Sequence, residues 1–135
     1  MNTRTGRWLA VILYCTAIFV QSGRPVSVSL PAWPGSDKVL HFFAYALLGV
    51  LFFRAFAATR VNDPPGRVVV WSILAAALYG LSDEVHQAFV PSRSAQWLDA
   101  AADALGAAAG VGLWSYWFAK PLSPPMKPSE TSYRH

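Results

Sequence analysis

The chain has 135 residues, of which 54% are hydrophobic and only 13% charged, against about 25% charged in a typical soluble domain. With a mean hydropathy of +0.33 and long apolar stretches, this excludes an ordinary soluble domain and points to an integral membrane protein. The net charge of +4 is scattered through loops without a basic run, so no nucleic-acid partner is expected. The single cysteine, Cys15, rules out an intrachain disulfide and any cysteine-based metal motif.

The first apolar stretch covers residues 8–20 and follows Arg4 and Arg7. It is short beside the roughly 20 residues that a membrane span requires. It therefore reads as a first span or as a signal peptide cut after Ser22; the poor cut site, with Val20 and Ser22, favours a retained span. The second stretch covers 39–58, with Arg54 near its far end, and Asn62-Asp63-Pro64-Pro65-Gly66 then signals a turn. The third covers 68–89 and ends at Val90-Pro91-Ser92-Arg93-Ser94. The fourth covers 97–119 and stops at Lys120-Pro121. The expected organisation is a cytoplasmic N-terminus over 1–7, a membrane domain over 8–119 and a disordered cytoplasmic tail over 120–135.

Orientation follows from the lysines and arginines of short loops. Arg4, Arg7, Arg54, Arg60, Arg67, Lys120, Lys127 and Arg134 fall on one side, against Arg24, Lys38 and Arg93 on the other. The first side is expected to be cytoplasmic. The fold class is thus an all-α membrane protein, a bundle of four transmembrane helices with both termini cytoplasmic. Trp33 and Trp97 suit the outer interface, and Trp114, Tyr116 and Trp117 the inner one.

In this topology the ionisable residues of the apolar segments gather at the outer face, where charge is retained mainly if it pairs or acts. At about 100° per residue, Lys38, His41, Tyr45 and Gly49 share one stripe of the second helix, with Asp37 beside it. Asp83, Glu84, His86 and Gln87 share one arc of the third, above Gly80 and Ala76, and Leu78, Leu81 and Val85 take the other side. Asp99, Asp103, Gly106 and Gly110 share a narrow stripe of the fourth, the glycines forming a GxxxG contact face.

Glu84 is the preferred carboxylate, with Gln87 on its face, and His41 is the imidazole able to exchange a proton near neutral pH. Asp83, turned about 100° from Glu84, is placed to orient His86, for which a packing or interface role is the alternative. Asp99 and Asp103, one turn apart, need a cation between them, and Lys38 or Arg93 is the nearest. A divalent ion on His41, Glu84, Asp99 and Asp103 is the alternative, but no motif with metal-ligand spacing is present. No metal or cofactor is assigned.

The ordered set Asp37-Lys38-x-x-His41-Phe42-x-x-Tyr45, Asp83-Glu84-x-His86-Gln87, Pro91-x-Arg93 and Asp99-x-x-x-Asp103-x-x-Gly106 resembles the VanZ-like family of small bacterial membrane proteins over about residues 30–115. The pattern carries over to Lys38, His41, Tyr45, Glu84, Gln87, Arg93, Asp99 and Gly106; Asp103 departs from the commoner asparagine. The resemblance implies a cell-envelope role and assigns no reaction. The expectation is an outward-facing polar pocket that binds or processes a lipid-linked or cell-wall component. In it Lys38 and Arg93 hold an anion, Glu84 and His41 are the acid/base candidates, and Tyr45, Asp83, His86, Gln87, Asp99 and Asp103 complete the ligand-binding set. The alternative is a structural protein whose polar cluster locks the bundle and whose GxxxG stripe or aromatic faces dock a membrane-protein partner or a second copy.

Overall fold

The computed structural model describes residues 2–24, 35–91 and 95–118. Among them the regular elements are four α-helices: α1 (Thr3–Ser22), α2 (Ser36–Thr59), α3 (Pro65–Gln87) and α4 (Trp97–Phe118). Arg93, Trp33 and the tail expected over 120–135 lie outside the described residues.

Local chemistry explains the helix starts. The Asn2 side chain accepts a hydrogen bond from the Arg4 amide at 3.2 Å, so α1 begins ahead of its apolar stretch and reaches 20 residues. Before α2, Gly35 adopts φ +92°, the left-handed conformation that glycine takes without a Cβ penalty. Pro65 sits in the first turn of α3, where its fixed φ suits the helix and its missing N–H leaves no bond unmade. Asp63 pairs with Arg60 at 3.1 Å and Arg67 at 3.6 Å in the α2–α3 loop, exposed bridges that add little stability.

α2 and α3 are long and apolar enough to cross a membrane, and most of each apolar window is left uncovered by the rest of the protein. Leu13, Phe43, Leu47, Leu78, Leu81, Val85, Leu105 and Leu113 face outward, whereas Ser72, Asp83, Glu84, Gln87, Asp99 and Asp103 are buried. This inverts the soluble pattern and is what a hydrocarbon solvent favours.

α2 is the central element and touches the other three helices. Its contact with α4 is made backbone to backbone: Gly106 lies on the Phe42 carbonyl and Gly110 on the Ala46 carbonyl, while Gly49 of α2 faces the Ala107 carbonyl. The two helices therefore run parallel. The GxxxG stripe expected on α4 is real as a contact face, but α2 occupies it. That removes it from the surfaces open to a partner. Tyr45, Leu48, Ala76 and Ala107 form the core beneath, with Tyr14, Cys15, Ile18, Phe52 and Tyr79 packed against them. α1 is tied in by Tyr14 Oη donating to the Ala44 carbonyl (3.2 Å), Tyr79 Oη to the Cys15 carbonyl (2.6 Å) and Arg7 to the Arg54 carbonyl (3.0 Å).

A methyl group at Gly106 has no room against the Phe42 backbone, so Gly106→Ala is expected to lower stability by about 1–3 kcal/mol. Gly112→Ala on the same helix, with open space around it, should leave stability unchanged. Thermal unfolding of both variants in mild detergent checks this; equal melting temperatures would mean that the seam is not tight.

Candidate functional site

The buried polar residues meet at one end of the bundle, where α1 and α3 finish and α2 and α4 begin. Parallel packing of α2 on α4 sets two rungs of contacts one turn apart. On the first, Lys38 Nζ lies 3.1 Å from Asp99 Oδ1 and 3.0 Å from Asp37 Oδ2, and also donates to Gln96 Oε1 at 3.1 Å. On the second, His41 Nδ1 lies 3.0 Å from Asp103 Oδ1. An ionised carboxylate only accepts, so Nδ1 carries the proton in this pair and Nε2 is left as the second ring nitrogen. The His41 ring lies parallel to that of Tyr45, one turn further in, with centroids 6.4 Å apart.

The rungs confirm the expected pairing of Lys38 with an aspartate and add His41 with Asp103. They also change the role of Lys38. With two carboxylates and an amide oxygen around it, its ammonium is already satisfied and is not a free anion-holding group.

α3 supplies two carboxylates that face different neighbours, as their adjacency requires. Glu84 turns toward α2 and α4: its Oε2 accepts from the Gln96 amide at 2.9 Å, and one ligand-type atom from each of His41, Glu84 and Asp99 lies within 4.8 Å of the others. Asp83 turns toward α1, where its Oδ2 accepts from Ser22 Oγ at 2.8 Å and from Gln87 Nε2 at 3.0 Å. Gln87 thus serves Asp83, not Glu84.

His86 takes the packing role and not the one beside Asp83. It stacks on Phe19 of α1, with ring centroids 4.3 Å apart, and the bonds of Asp83 go to Ser22 and Gln87 instead. The two are three residues apart on α3, and the approach of α1 draws the imidazole against an aromatic ring outside the carboxylate junction. Arg93 lies outside the described residues. Ser22 and Gln96 were not singled out from the sequence. Each is a polar residue at a segment end next to the mouth, the one signal that would have found them.

Several buried polar atoms here lack a protein partner: Tyr45 Oη, Asp83 Oδ1, Glu84 Oε1, Asp103 Oδ2 and His86 Nε2. Unmade bonds of this kind are costly and mark places where something else binds or a proton resides. Asp103 is wholly buried, and Gly80 makes room for it: a Cβ on Gly80 would stand 2.7 Å from Asp103 Oδ2 and 3.1 Å from the Tyr45 ring.

A cavity of about 280 Å³ opens beside the mouth between α1, α2 and α3. Tyr14, Ala17, Ile18, Leu40 and Ala44 give it apolar walls; Gln21, Ser22, His41, Tyr45, Asp83 and Gln87 give it a polar end. The mouth is thereby divided. Glu84, Asp99 and Asp103 lie on its α2–α3–α4 side and Asp83 on its α1 side, with His41 and Tyr45 between.

A family model described as VanZ/LLP1 matches residues 5–119 of the chain. No curated protein and no solved structure matches it.

Asp103→Asn keeps the acceptor for His41 and is expected to fold with near wild-type stability. Asp103→Leu removes that acceptor and crowds Gly80. His41→Ala strands a buried carboxylate and should cost about 3–5 kcal/mol. Lys38→Ala, at a pair partly open to solvent, should cost clearly less than His41→Ala. Melting temperatures of the four variants in one detergent test this order; a Lys38→Ala effect as large as that of His41→Ala would contradict it.

Proposed function

The chain belongs to the VanZ/LLP1 family, and from that premise we propose that it is a four-span protein of the bacterial cytoplasmic membrane whose outward-facing mouth binds the head of a lipid-linked cell-envelope component. Helices of 20 to 24 residues are about 30–36 Å long, enough for the hydrocarbon core. The excess of Lys and Arg on the α2–α3 loop side supports cytoplasmic termini. Arg54 over the Trp114 ring, 5.6 Å from its centroid, and the exposed Trp97 at the opposite end suit the two interfaces.

The observation that carries the reading is the amphipathic cavity, with acyl-compatible walls and a polar end that includes Asp83 and Tyr45, two residues that each hold a buried oxygen without a hydrogen-bond partner, Asp83 Oδ1 and Tyr45 Oη. Among the described residues its lining holds two side chains of α3, Asp83 and Gln87, and no lysine or arginine. A head that donates hydrogen bonds, such as an ammonium or a hydroxyl, fits this end better than the anion expected at Lys38 and Arg93. Glu84 and His41 remain the acid/base candidates if the bound head is processed.

Native mass spectrometry of protein loaded from equimolar phosphatidylethanolamine and phosphatidylglycerol tests the reading. Wild type should retain the ammonium lipid preferentially, and Asp83→Asn should lose that preference by about tenfold, the loss expected for one charge-assisted contact. Equal, non-selective adducts on both proteins would favour the structural reading, in which the paired rungs Lys38–Asp99 and His41–Asp103 lock the bundle.

A further inference from the structure

The side of the mouth away from the cavity has a different chemistry. We infer that His41, Glu84 and Asp99 bind one divalent metal ion where α2, α3 and α4 meet, with Asp103 orienting His41 from behind.

Four observations carry this site. Its three ligand atoms lie within 4.8 Å of one another, close to the roughly 4–4.4 Å that separates ligands on opposite sides of one ion. Glu84 is only 5% exposed, and its Oε1 has no partner while the Gln96 amide holds its other oxygen. A buried carboxylate half satisfied in this way is completed by a cation, a donor or its own proton. The contact of His41 Nδ1 with Asp103 Oδ1 leaves Nε2 to bind, the carboxylate–histidine arrangement that fixes the tautomer and orientation of a metal-ligating imidazole. Finally, charge is unbalanced. Lys38 pairs with both Asp37 and Asp99 and His41 with Asp103, so Glu84 has no cation of its own among the ion pairs of the described residues. A divalent ion supplies positive charge where an uncompensated carboxylate is most costly.

Asp99 would serve both cations, since its carboxylate pairs with Lys38 through Oδ1 and also offers a ligand atom to the group. One imidazole with two carboxylates, completed by water, suits Mn²⁺ or Zn²⁺ rather than a soft ion. The site meets the lipid cavity at His41, which borders both, but its carboxylates belong to Glu84 and Asp99, whereas the unpartnered atoms of the cavity residues belong to Asp83 and Tyr45.

The test is a Mn²⁺ titration of the purified, chelator-stripped protein in mild detergent, with free Mn²⁺ followed by electron paramagnetic resonance. Wild type should bind one Mn²⁺ per chain, displaceable by Zn²⁺, with nitrogen hyperfine coupling from an imidazole. Glu84→Gln and Asp99→Asn should each weaken binding at least tenfold, while Asp83→Asn, facing the cavity, should keep the ion. The wild-type melting temperature should rise with Mn²⁺ and that of Glu84→Gln should not. Absence of saturable binding by folded wild type overturns the site, as does saturable binding without imidazole coupling. Either result stands even if the variants fail to fold. Lipid selectivity is read separately through Asp83→Asn, so failure of the metal site and failure of the lipid reading are distinguishable.

Discussion

The close approach of α2 and α4 is the constraint on which the polar end depends. Gly106, Gly110 and Gly49 let each backbone lie on the carbonyls of the other helix, the close approach that small residues permit. Two consequences follow from this single seam. The helices are held in parallel register, so residues one turn apart on α2 meet residues one turn apart on α4. The side chains above the seam are then brought within reach whatever their own conformational preference. Lys38 with Asp99 and His41 with Asp103 are the outcome. The pairing is a product of backbone packing, and the electrostatics come second.

Electrostatics then decide what the mouth can hold. Carboxylates outnumber the described cations around it, and most are buried. Paired burial of this type specifies an arrangement more than it stabilises one. The oxygens left over on Asp83, Glu84 and Asp103 are the reactive part of the structure in the chemical sense: they accept a proton, a donor group or a metal ion. Because Asp83 and Glu84 are neighbours on one helix, they look in different directions, and one stretch of α3 thereby serves two compartments. One is lined by apolar walls from α1 and α2. The other is closed by α4. An amphiphile matches the first and a small cation the second.

The surface completes the picture from the other side. Large apolar side chains on every helix point away from the bundle, and the largest fully buried ones are few, with Tyr45, Leu48 and Val111 foremost. In water such an arrangement would collapse or aggregate. In lipid it carries no penalty, and helix association rests instead on close van der Waals packing and buried hydrogen bonds. Tyr14, Tyr79 and Ser22 provide those bonds for α1, the helix with the shortest apolar run, and attach it to α2 and α3.

Periodicity was enough to read four helices, the polar stripe Lys38–His41–Tyr45, the arc of α3 and the glycine face of α4, because each lies within one helix and a helix repeats every 3.6 residues. It also separated Asp83 from Glu84. Tertiary structure alone decided what each stripe meets. No local pattern shows that Gly106 and Gly110 rest on α2 instead of a partner, that Ser22 and Gln96 reach Asp83 and Glu84, or that His86 stacks on Phe19. Those contacts join residues 10 or more positions apart, such as the 61-residue separation of Ser22 and Asp83. Helix geometry orders side chains around one axis, but only the packing of several axes determines which of them touch.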